Sequence, residues 1–300
     1  MDRIIPNSQN DFDKKLVFEH YLNNPDKKLS LANNRVSSLY EDNSGRLWIG
    51  TRNGVNVFDL HKNSFIKTYL NNSKDSNSLS DNNVTKITGD RFGNIWISTW
   101  GSGLNLLNPE TEKFHHFKNI PNNSNSISYD VIMSLYTDRY GNIWICTWGG
   151  GLNKLVLPGD FNLRQANELS FIRYQNQPNN ISSLAGNSIY TIYEDKTHVL
   201  WIGTDWNGIS KYNQDKSKFA HYESDPNAED GLKGNTILAL YKDKYKNLWI
   251  GTLGTGLNMY DESSKKYTHF TYNPKNPYSC LLYTSPSPRD RTRSRMPSSA

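Results

Sequence analysis

Apolar and polar positions along the chain repeat with a period of about 48 residues. The clearest marker is a tryptophan inside a short apolar run, which recurs at Trp48, Trp96, Trp144, Trp201 and Trp249, at spacings of 48, 48, 57 and 48 residues. Around these tryptophans the copies read EDNSGRLWIGT, GDRFGNIWIST, TDRYGNIWICT, EDKTHVLWIGT and KDKYKNLWIGT. Because a fixed period decides the architecture before any single motif does, the pattern indicates five copies of one structural unit.

Each unit predicts four short strands separated by turn residues. In the first copy these are Val36–Tyr40, Leu47–Thr51, Val55–Phe58 and Phe65–Tyr69. The second strand is apolar at consecutive positions, so we expect both of its faces to be covered and all five tryptophans to be buried. The fourth strand carries aromatic residues three apart, on opposite faces, as in Phe114/Phe117, Phe171/Tyr174, Phe219/Tyr222 and Tyr267/Phe270. Such antiparallel sheets, covered on both sides by equivalent neighbours, are typical of the blades of a β-propeller; a flat solenoid is the alternative.

An aspartate stands six residues before each tryptophan, at Asp42, Asp90, Asp138, Asp195 and Asp243. In the first three copies a glycine follows three residues later, whereas His198 and Lys246 take that place in the last two. Asp accepts hydrogen bonds from its own downstream backbone, and Gly supplies positive φ. We therefore interpret these carboxylates as hairpin formers rather than catalytic acids.

Composition and charge narrow the class of protein. The 8 Trp, 18 Tyr and 20 Gly favour strands and turns, which argues against a helical bundle. The net charge of +5 falls to +2 without residues 280–300, so no nucleic-acid partner is expected. No apolar run approaches the roughly 18 residues of a membrane helix. With only Cys146 and Cys280, no disulfide framework is predicted, and Cys146 is expected to be an inert core thiol.

The predicted domain is all-β and covers residues 1–279. Its blades span about 30–70, 79–118, 127–175, 184–223 and 232–272, with an orphan outer strand at 15–21. The third unit has nine extra residues around Leu157–Leu169, interpreted as a surface insertion. Five blades and a spare strand predict a piece of a larger ring, since propellers have about four to eight blades. Residues 280–300, rich in Ser, Pro and Arg, lack the repeat and are expected to be a non-native or disordered tail.

Motifs for catalysis or metal binding are sparse. There is no metal-spaced His/Cys/Glu cluster, no nucleophile elbow and no phosphate-binding Gly loop, so no cofactor and no metal are expected. His115 and His116 are adjacent on a strand, where neighbouring side chains point to opposite faces. A shared metal ion is therefore not expected there.

A binding site is better supported. In an antiparallel meander the turn between the second and third strands lies at the same end as the segment leading into the first strand. That end gathers the variable residues Trp206, Asp205, Trp100, Trp148, Arg52, Arg35, Tyr129 and Asp130. Aromatic faces pack on sugar rings, while Asp and Arg bind hydroxyl or acidic groups, so these residues are candidates for an oligosaccharide site. Trp100 and Trp148 could instead wedge neighbouring blades together, whereas Trp206 breaks the pattern and is the better specificity candidate.

The unit, with its Gly-Leu-Asn continuation at Gly103–Asn105 and Gly151–Asn153, resembles the two component regulator propeller repeat over nearly all of residues 15–279. The resemblance implies the sensor region of a hybrid histidine kinase, with a seven-bladed ring on the periplasmic or extracellular side of a membrane. It also implies membrane, kinase and receiver segments outside this chain, and ligand-driven changes in homodimer packing. The resulting expectation is a noncatalytic ligand sensor; a propeller-based polysaccharide lyase or hydrolase and a protein-interaction scaffold are the alternatives.

Overall fold

The computed structural model of the protein describes residues 1–5, 17–27, 29–213, 218–225, 228, 230–272 and 279. Most strands in these ranges belong to five antiparallel sheets of four strands, each running in sequence order. We number the sheets blade 1 to blade 5. Among the described residues, no helix has the length and apolar character needed to cross a membrane.

The four strands of a blade lie side by side in the order of the chain. The first strands are β3 (Val36–Glu41), β7 (Val84–Gly89), β11 (Ile132–Thr137), β15 (Ile189–Glu194) and β19 (Ile237–Lys242). The second strands are β4 (Arg46–Thr51), β8 (Ile95–Thr99), β12 (Ile143–Thr147), β16 (Val199–Thr204) and β20 (Asn247–Thr252). The third strands are β5 (Gly54–Asp59), β9 (Leu104–Asn108), β13 (Leu152–Leu155), β17 (Ile209–Asn213) and β21 (Gly256–Asp261). The fourth strands are β6 (Ser64–Tyr69), β10 (Lys113–Phe117), β14 (Phe171–Tyr174), β18 (Lys218–Tyr222) and β22 (Lys266–Phe270).

Successive blades pack through their first strands, with β3 against β7, β7 against β11, β11 against β15 and β15 against β19. The apolar second strands of blades 2, 3 and 4 are buried along their whole length, as their continuous hydrophobic sequence predicts. The predicted all-β propeller architecture is therefore confirmed.

The tryptophans of the second strands form the centre of each interblade core. Trp48, Trp96, Trp144 and Trp201 are at most 1% exposed, as expected. Trp249 is an exception, because blade 5 packs against blade 4 on one side only within the described residues. Along β20 buried and half-buried residues alternate, and Trp249 is half-buried. The expectation of a fully buried Trp249 is wrong for this reason.

Each hairpin aspartate closes its turn and also holds the tryptophan of its own blade. Asp90 Oδ1 accepts hydrogen bonds from the backbone N–H groups of Phe92 (2.9 Å) and Asn94 (3.0 Å), which confirms the hairpin interpretation. Its Oδ2 accepts a bond from the Trp96 indole Nε1 at 2.9 Å. The same indole bond, 2.8–3.0 Å long, recurs from Trp48 to Asp42, Trp144 to Asp138, Trp201 to Asp195 and Trp249 to Asp243. The indole N–H therefore has a hydrogen-bond partner in every blade, including the four blades in which the tryptophan is buried.

Aromatic residues of the fourth strands contact both neighbouring blades, as their spacing of three predicts. Phe114 contacts Tyr69 of blade 1 at a ring-centroid distance of 5.7 Å, and Phe117 contacts Phe171 of blade 3 at 5.5 Å. Tyr174 continues the series to Phe219 of blade 4 at 6.0 Å. These edge contacts join the outer parts of the blades.

The predicted orphan strand has a partner in the structure. Strand β2 (Val17–His20) pairs antiparallel with β1 (Asp2–Ile5), a four-residue strand that carries no repeat signal of its own. The following Tyr21 ring lies 5.2 Å from Phe58 and 6.0 Å from Phe65. The β1–β2 pair therefore packs against blade 1.

The nine-residue insertion of blade 3 contributes to the core, contrary to its interpretation as a surface loop. It contains a short 3₁₀ helix, η1 (Leu163–Glu168), whose N-cap is Asn162. Leu157, Phe161 and Ala166 are buried, and the Phe161 ring lies 5.9 Å from Phe92 of blade 2. The insertion thus covers the junction between blades 2 and 3.

Two sequence expectations concern cysteine and histidine chemistry. Cys146 is completely buried, and burial raises the pKa of its thiol, which fits the predicted inert core residue. His116 Nε2 lies 2.8 Å from the Ser78 carbonyl oxygen, a structural contact. Cys280 and the predicted tail at 280–300 lie outside the described residues.

Candidate functional site

One end of the blades, here called the front face, holds the turns between second and third strands and the segments leading into the first strands. Each turn begins with a threonine whose hydroxyl donates to the carbonyl of a glycine at positive φ. In blade 2, Thr99 Oγ1 bonds Gly103 O at 2.9 Å, and Gly103 has φ +77°. A Cβ at Gly103 would collide with the Phe117 carbonyl oxygen of β10, so only glycine fits. The turns are therefore fixed in shape by their sequence.

The residue after the threonine has a fixed backbone and a variable side chain. Its N–H donates to the segment leading into the first strand of the same blade, as Trp100 does to Asn83 (2.9 Å) and Asp205 to Ser188 (2.8 Å). A glycine of the same turn donates to the next blade, as Gly103 does to Asp130 (3.0 Å). The predicted sharing of one end by these two sets of loops is confirmed. The front face thus presents one side chain of variable type from each blade, namely Arg52, Trp100, Trp148, Asp205 and Leu253.

The first strands add a second set of variable side chains to this face. The pairing of every first strand shifts register at its second residue, which marks a β-bulge at Ser37, Thr85, Met133, Tyr190 and Leu238. Bulges re-aim a side chain and are frequent next to binding sites. Sequence reasoning missed Tyr190; the available signal was a variable residue directly after the first apolar residue of each first strand.

Three aromatic rings form a continuous row across blades 2, 3 and 4. The Trp100 and Trp148 rings meet edge to face at 5.4 Å and 73°, and Trp148 meets Tyr190 at 5.7 Å and 68°. Trp100 and Trp148 remain 43% and 39% exposed, so they offer free ring surface besides contacting each other. Asp205 lies beside the tyrosine end of the row, because its N–H donates to Ser188, two residues before Tyr190, and burial, followed by the charge of Asp205, raises the pKa of Tyr190. We call Arg52, Trp100, Trp148, Tyr190 and Asp205 the front-face arc.

Asp205 and Trp206 are joined to blade 5 by Thr236. The Thr236 hydroxyl donates to Asp205 Oδ1 at 3.2 Å, and the Trp206 N–H donates to the same hydroxyl at 3.4 Å. Trp206 is 74% exposed and has φ +67°, a left-handed conformation that is unusual for a bulky side chain. The corresponding residues Gly101, Gly149 and Gly254 of blades 2, 3 and 5 also have positive φ. Trp206 therefore has a bulky, exposed side chain at a position where blades 2, 3 and 5 have glycine.

Arg52 and Trp100 lie at the other end of the arc, beside a depression of about 460 Å³. Its remaining lining residues are Ser37, Asn83, Val84, Thr85 and Met133. Arg35 is exposed, and its carbonyl accepts the Arg52 N–H at 3.2 Å, so both arginines belong to this end. The arc therefore carries cations at one end and a carboxylate at the other.

The last two predicted site residues differ in character. Tyr129 is 46% exposed and lies in the segment leading into β11. Asp130 Oδ1 accepts the Asn119 backbone N–H at 2.7 Å, and Asn82 Oδ1 accepts the Asn71 N–H at the same distance in blade 2. Asp130 thus has a structural role in addition to any contact that its second oxygen makes.

The described residues contain no group of three or more His, Cys, Asp or Glu side chains that could hold a metal ion. The arc is instead a shallow, partly aromatic surface supported by rigid turns. It combines exposed ring faces with charged and hydrogen-bonding groups.

The fold is that of a β-propeller whose blade ends carry variable side chains. The two component regulator propeller family matches five segments, at residues 30–53, 78–101, 126–149, 183–206 and 231–254. Each segment runs from the linker before a first strand to the variable turn of the front face. The chain is therefore built of two component regulator propeller repeats. No curated protein matches the sequence.

Solved structures share this architecture. The chain is similar to the extracellular domain of the hybrid two component system BT3049 from B. thetaiotaomicron, with 27% identity over 79% of this chain and 30% of that one, and a TM-score of 0.64. PorZ, a surface component of the type-IX secretion system of Porphyromonas gingivalis, shares the fold at 17% identity and a TM-score of 0.60, covering 83% and 35% of the two chains. Virginiamycin B lyase from Staphylococcus aureus shares it at 14% identity and a TM-score of 0.53, covering 82% and 73%. The chain thus spans about a third of the length of the first two structures.

Proposed function

We propose that this chain is a noncatalytic, ligand-sensing propeller module of a two component signalling receptor, and that its front-face arc binds an oligosaccharide or a similar polar ligand. The observation that carries the proposal is the aromatic row of exposed Trp100 and Trp148 and half-buried Tyr190, with Arg52 at one end and Asp205 at the other. Aromatic faces suit the apolar C–H surfaces of pyranose rings, and the polar ends can bind hydroxyl groups.

The receptor context rests on the repeat family and on the similarity to the extracellular domain of a hybrid two component system. The proposal therefore places the module on the periplasmic or extracellular side of a membrane, joined to the membrane by other segments of the receptor. Ligand binding would act by changing how two such receptors pack against each other. Movement within the module is restricted, because hydrogen bonds and aromatic contacts join neighbouring blades.

The binding proposal is tested by calorimetric titration of the purified chain with a panel of plant and host oligosaccharides. A ligand that binds the arc should lose about fivefold or more in affinity on Trp148→Ala, because an aromatic contact contributes on the order of 1 kcal/mol. Tyr245→Ala is the matched control, since Tyr245 is 71% exposed but lies in the first hairpin of blade 5, at the opposite end of the blades.

Two results would contradict the proposal. The first is the absence of binding across the panel, and the second is an equal loss of affinity in the Tyr245 variant. Chromatography of the same mixtures after prolonged incubation tests the noncatalytic part. Cleavage that disappears in Asp205→Asn would favour the lyase or hydrolase alternative.

A further inference from the structure

Arg35 and Arg52, at one end of the arc, have no side-chain hydrogen bond or ion pair among the described residues, in contrast to four other arginines of the blades. Arg46 pairs with Asp42 at 2.7 Å, and Arg139 lies 3.5 Å from Glu194. Arg91 and Arg173 donate to backbone carbonyls. No ion pair among the described residues involves Arg35 or Arg52. Their charge is therefore available to a ligand.

The depression beside Arg52 is also free of carboxylates. Its lining contains hydroxyl, amide and apolar groups, the Trp100 ring and the Arg52 side chain. The neighbouring Asp81 uses Oδ1 to accept the Asn83 N–H at 2.7 Å, and its Oδ2 lies 3.4 Å from the Ser102 hydroxyl. The local chemistry thus combines a positive charge with an exposed aromatic face and without a competing carboxylate in the lining.

We propose that the ligand of the front-face arc is an anionic carbohydrate, whose carboxylate or sulfate group binds Arg52 and Arg35 while its sugar ring packs against Trp100. This inference rests on the proposed function. A guanidinium binds either anion through two parallel N–H bonds, which fixes orientation as well as charge. Asp205, at the far end of the arc, disfavours a second anionic group at that end. The arc therefore selects the direction in which the sugar chain binds.

The test uses sugars that share a backbone and differ in charge. The probes are a galacturonic acid trisaccharide and its methyl ester, a glucuronate-substituted xylo-oligosaccharide and its unsubstituted form, and a sulfated galactan fragment and its desulfated form. Affinities are measured by calorimetry at about 50 mM and about 500 mM salt, since exposed charge pairs weaken with ionic strength. We expect at least one acidic member to bind about tenfold more tightly than its neutral partner at low salt, and the preference to shrink at high salt.

Arginine variants locate the effect. Arg52→Gln should lower the affinity for the acidic member by a larger factor than the affinity for the neutral member, so that the preference within the pair shrinks. Arg164→Gln is the control, because Arg164 is exposed on the blade 3 insertion, outside the arc. Binding of neutral members alone, or equal binding within each pair, would overturn the inference and leave the proposed function standing. Failure of every member to bind would overturn both the inference and the proposed function. Comparison of the uronate pairs with the sulfate pair shows which of the two anions is bound.

Discussion

Because Trp206 has a left-handed backbone, two substitutions can test its backbone strain and the proposed ligand contact separately. At φ +67° a residue with a Cβ is strained by about 1–2 kcal/mol, whereas glycine is not. Glycine costs about 0.5–1 kcal/mol more backbone entropy on folding than alanine. Trp206→Gly and Trp206→Ala both remove the indole, so its packing, small at 74% exposure, cancels in their comparison. We therefore expect the glycine variant to be more stable than the alanine variant by about 0.5–1 kcal/mol.

This order is the reverse of the one usually found within strands and helices, and urea denaturation followed by tryptophan fluorescence measures it. Gly254→Ala is a matched control, because Gly254 has φ +82° at the corresponding turn of blade 5 and a Cβ there meets no other atom. It should lose about the same free energy of unfolding as separates the two Trp206 variants.

Ligand affinity gives the second half of the experiment. If Trp206 contacts the ligand, both variants should bind it more weakly by a similar factor, although their stabilities differ. An alanine variant as stable as the glycine variant would refute the strain argument. Undiminished affinity in both variants would refute a ligand contact by Trp206.

Three further predictions concern the interior of the protein. Burial alone would raise the pKa of Asp195, but hydrogen bonds from Thr197, Trp201 and Lys242 lower it to about 2. This carboxylate should therefore contribute about 1–2 kcal/mol to the free energy of unfolding after solvent screening, fully present above pH 4 and lost as the pH falls towards 2. In acid titration, the stability of Asp195→Asn should depend less steeply on pH in that window than the stability of the unsubstituted protein. An unchanged slope would contradict the prediction. Trp96→Phe should lower the free energy of unfolding by more than Trp249→Phe, because Trp96 is fully buried and Trp249 is half-buried. Equal losses in urea denaturation would argue against the one-sided packing of blade 5. Cys146 should react with a thiol reagent only after addition of denaturant, and fast labelling of the native protein would contradict its burial.

The repeat made the fold predictable because every unit restates the same local rules. The consecutive apolar residues of the second strands and the aromatic spacing of the fourth strands imply covered faces, and the structure has them in blades 2 to 4. The repeat period could not predict features that depend on a particular neighbouring blade. Trp249 looks like the other four tryptophans in sequence, yet its exposure is set by the covering of blade 5. The insertion of blade 3 looked like a loop because Phe161 finds its partner, Phe92, in another blade.

The sequence predicted which loops of the candidate site share a face. It did not predict which side chains contact each other there. From the sequence, Trp100 and Trp148 could either wedge neighbouring blades together or provide a ligand surface. The structure shows that the two rings contact each other and keep about two fifths of their surface exposed. Tyr190 was missed because a β-bulge, which a strand pattern does not reveal, turns it towards the arc. Such bulges shift the two-residue alternation on which strand reading depends.

Two aspartates of the front face test whether fold-determining and ligand-determining positions are separate. Asp130 occupies a position where the other copies have Asn34, Asn82, Asn187 and Asn235, and in each copy one side-chain oxygen accepts a backbone N–H at 2.7 Å. An amide oxygen satisfies that bond as well as a carboxylate does, so Asp130→Asn should change neither the free energy of unfolding nor ligand affinity.

Asp205 occupies the position that differs in every neighbouring blade, and its carboxylate receives only the Thr236 hydroxyl among the bonds described for its side chain. Asp205→Asn should therefore leave stability within about 0.5 kcal/mol, because an amide oxygen can still accept the Thr236 bond, and weaken ligand binding. Paired denaturation and calorimetry measurements on the two variants decide the matter. A loss of affinity in Asp130→Asn at unchanged stability would mean that the second Asp130 oxygen reaches the ligand, and that this position, although repeated in every blade for folding, also belongs to the site.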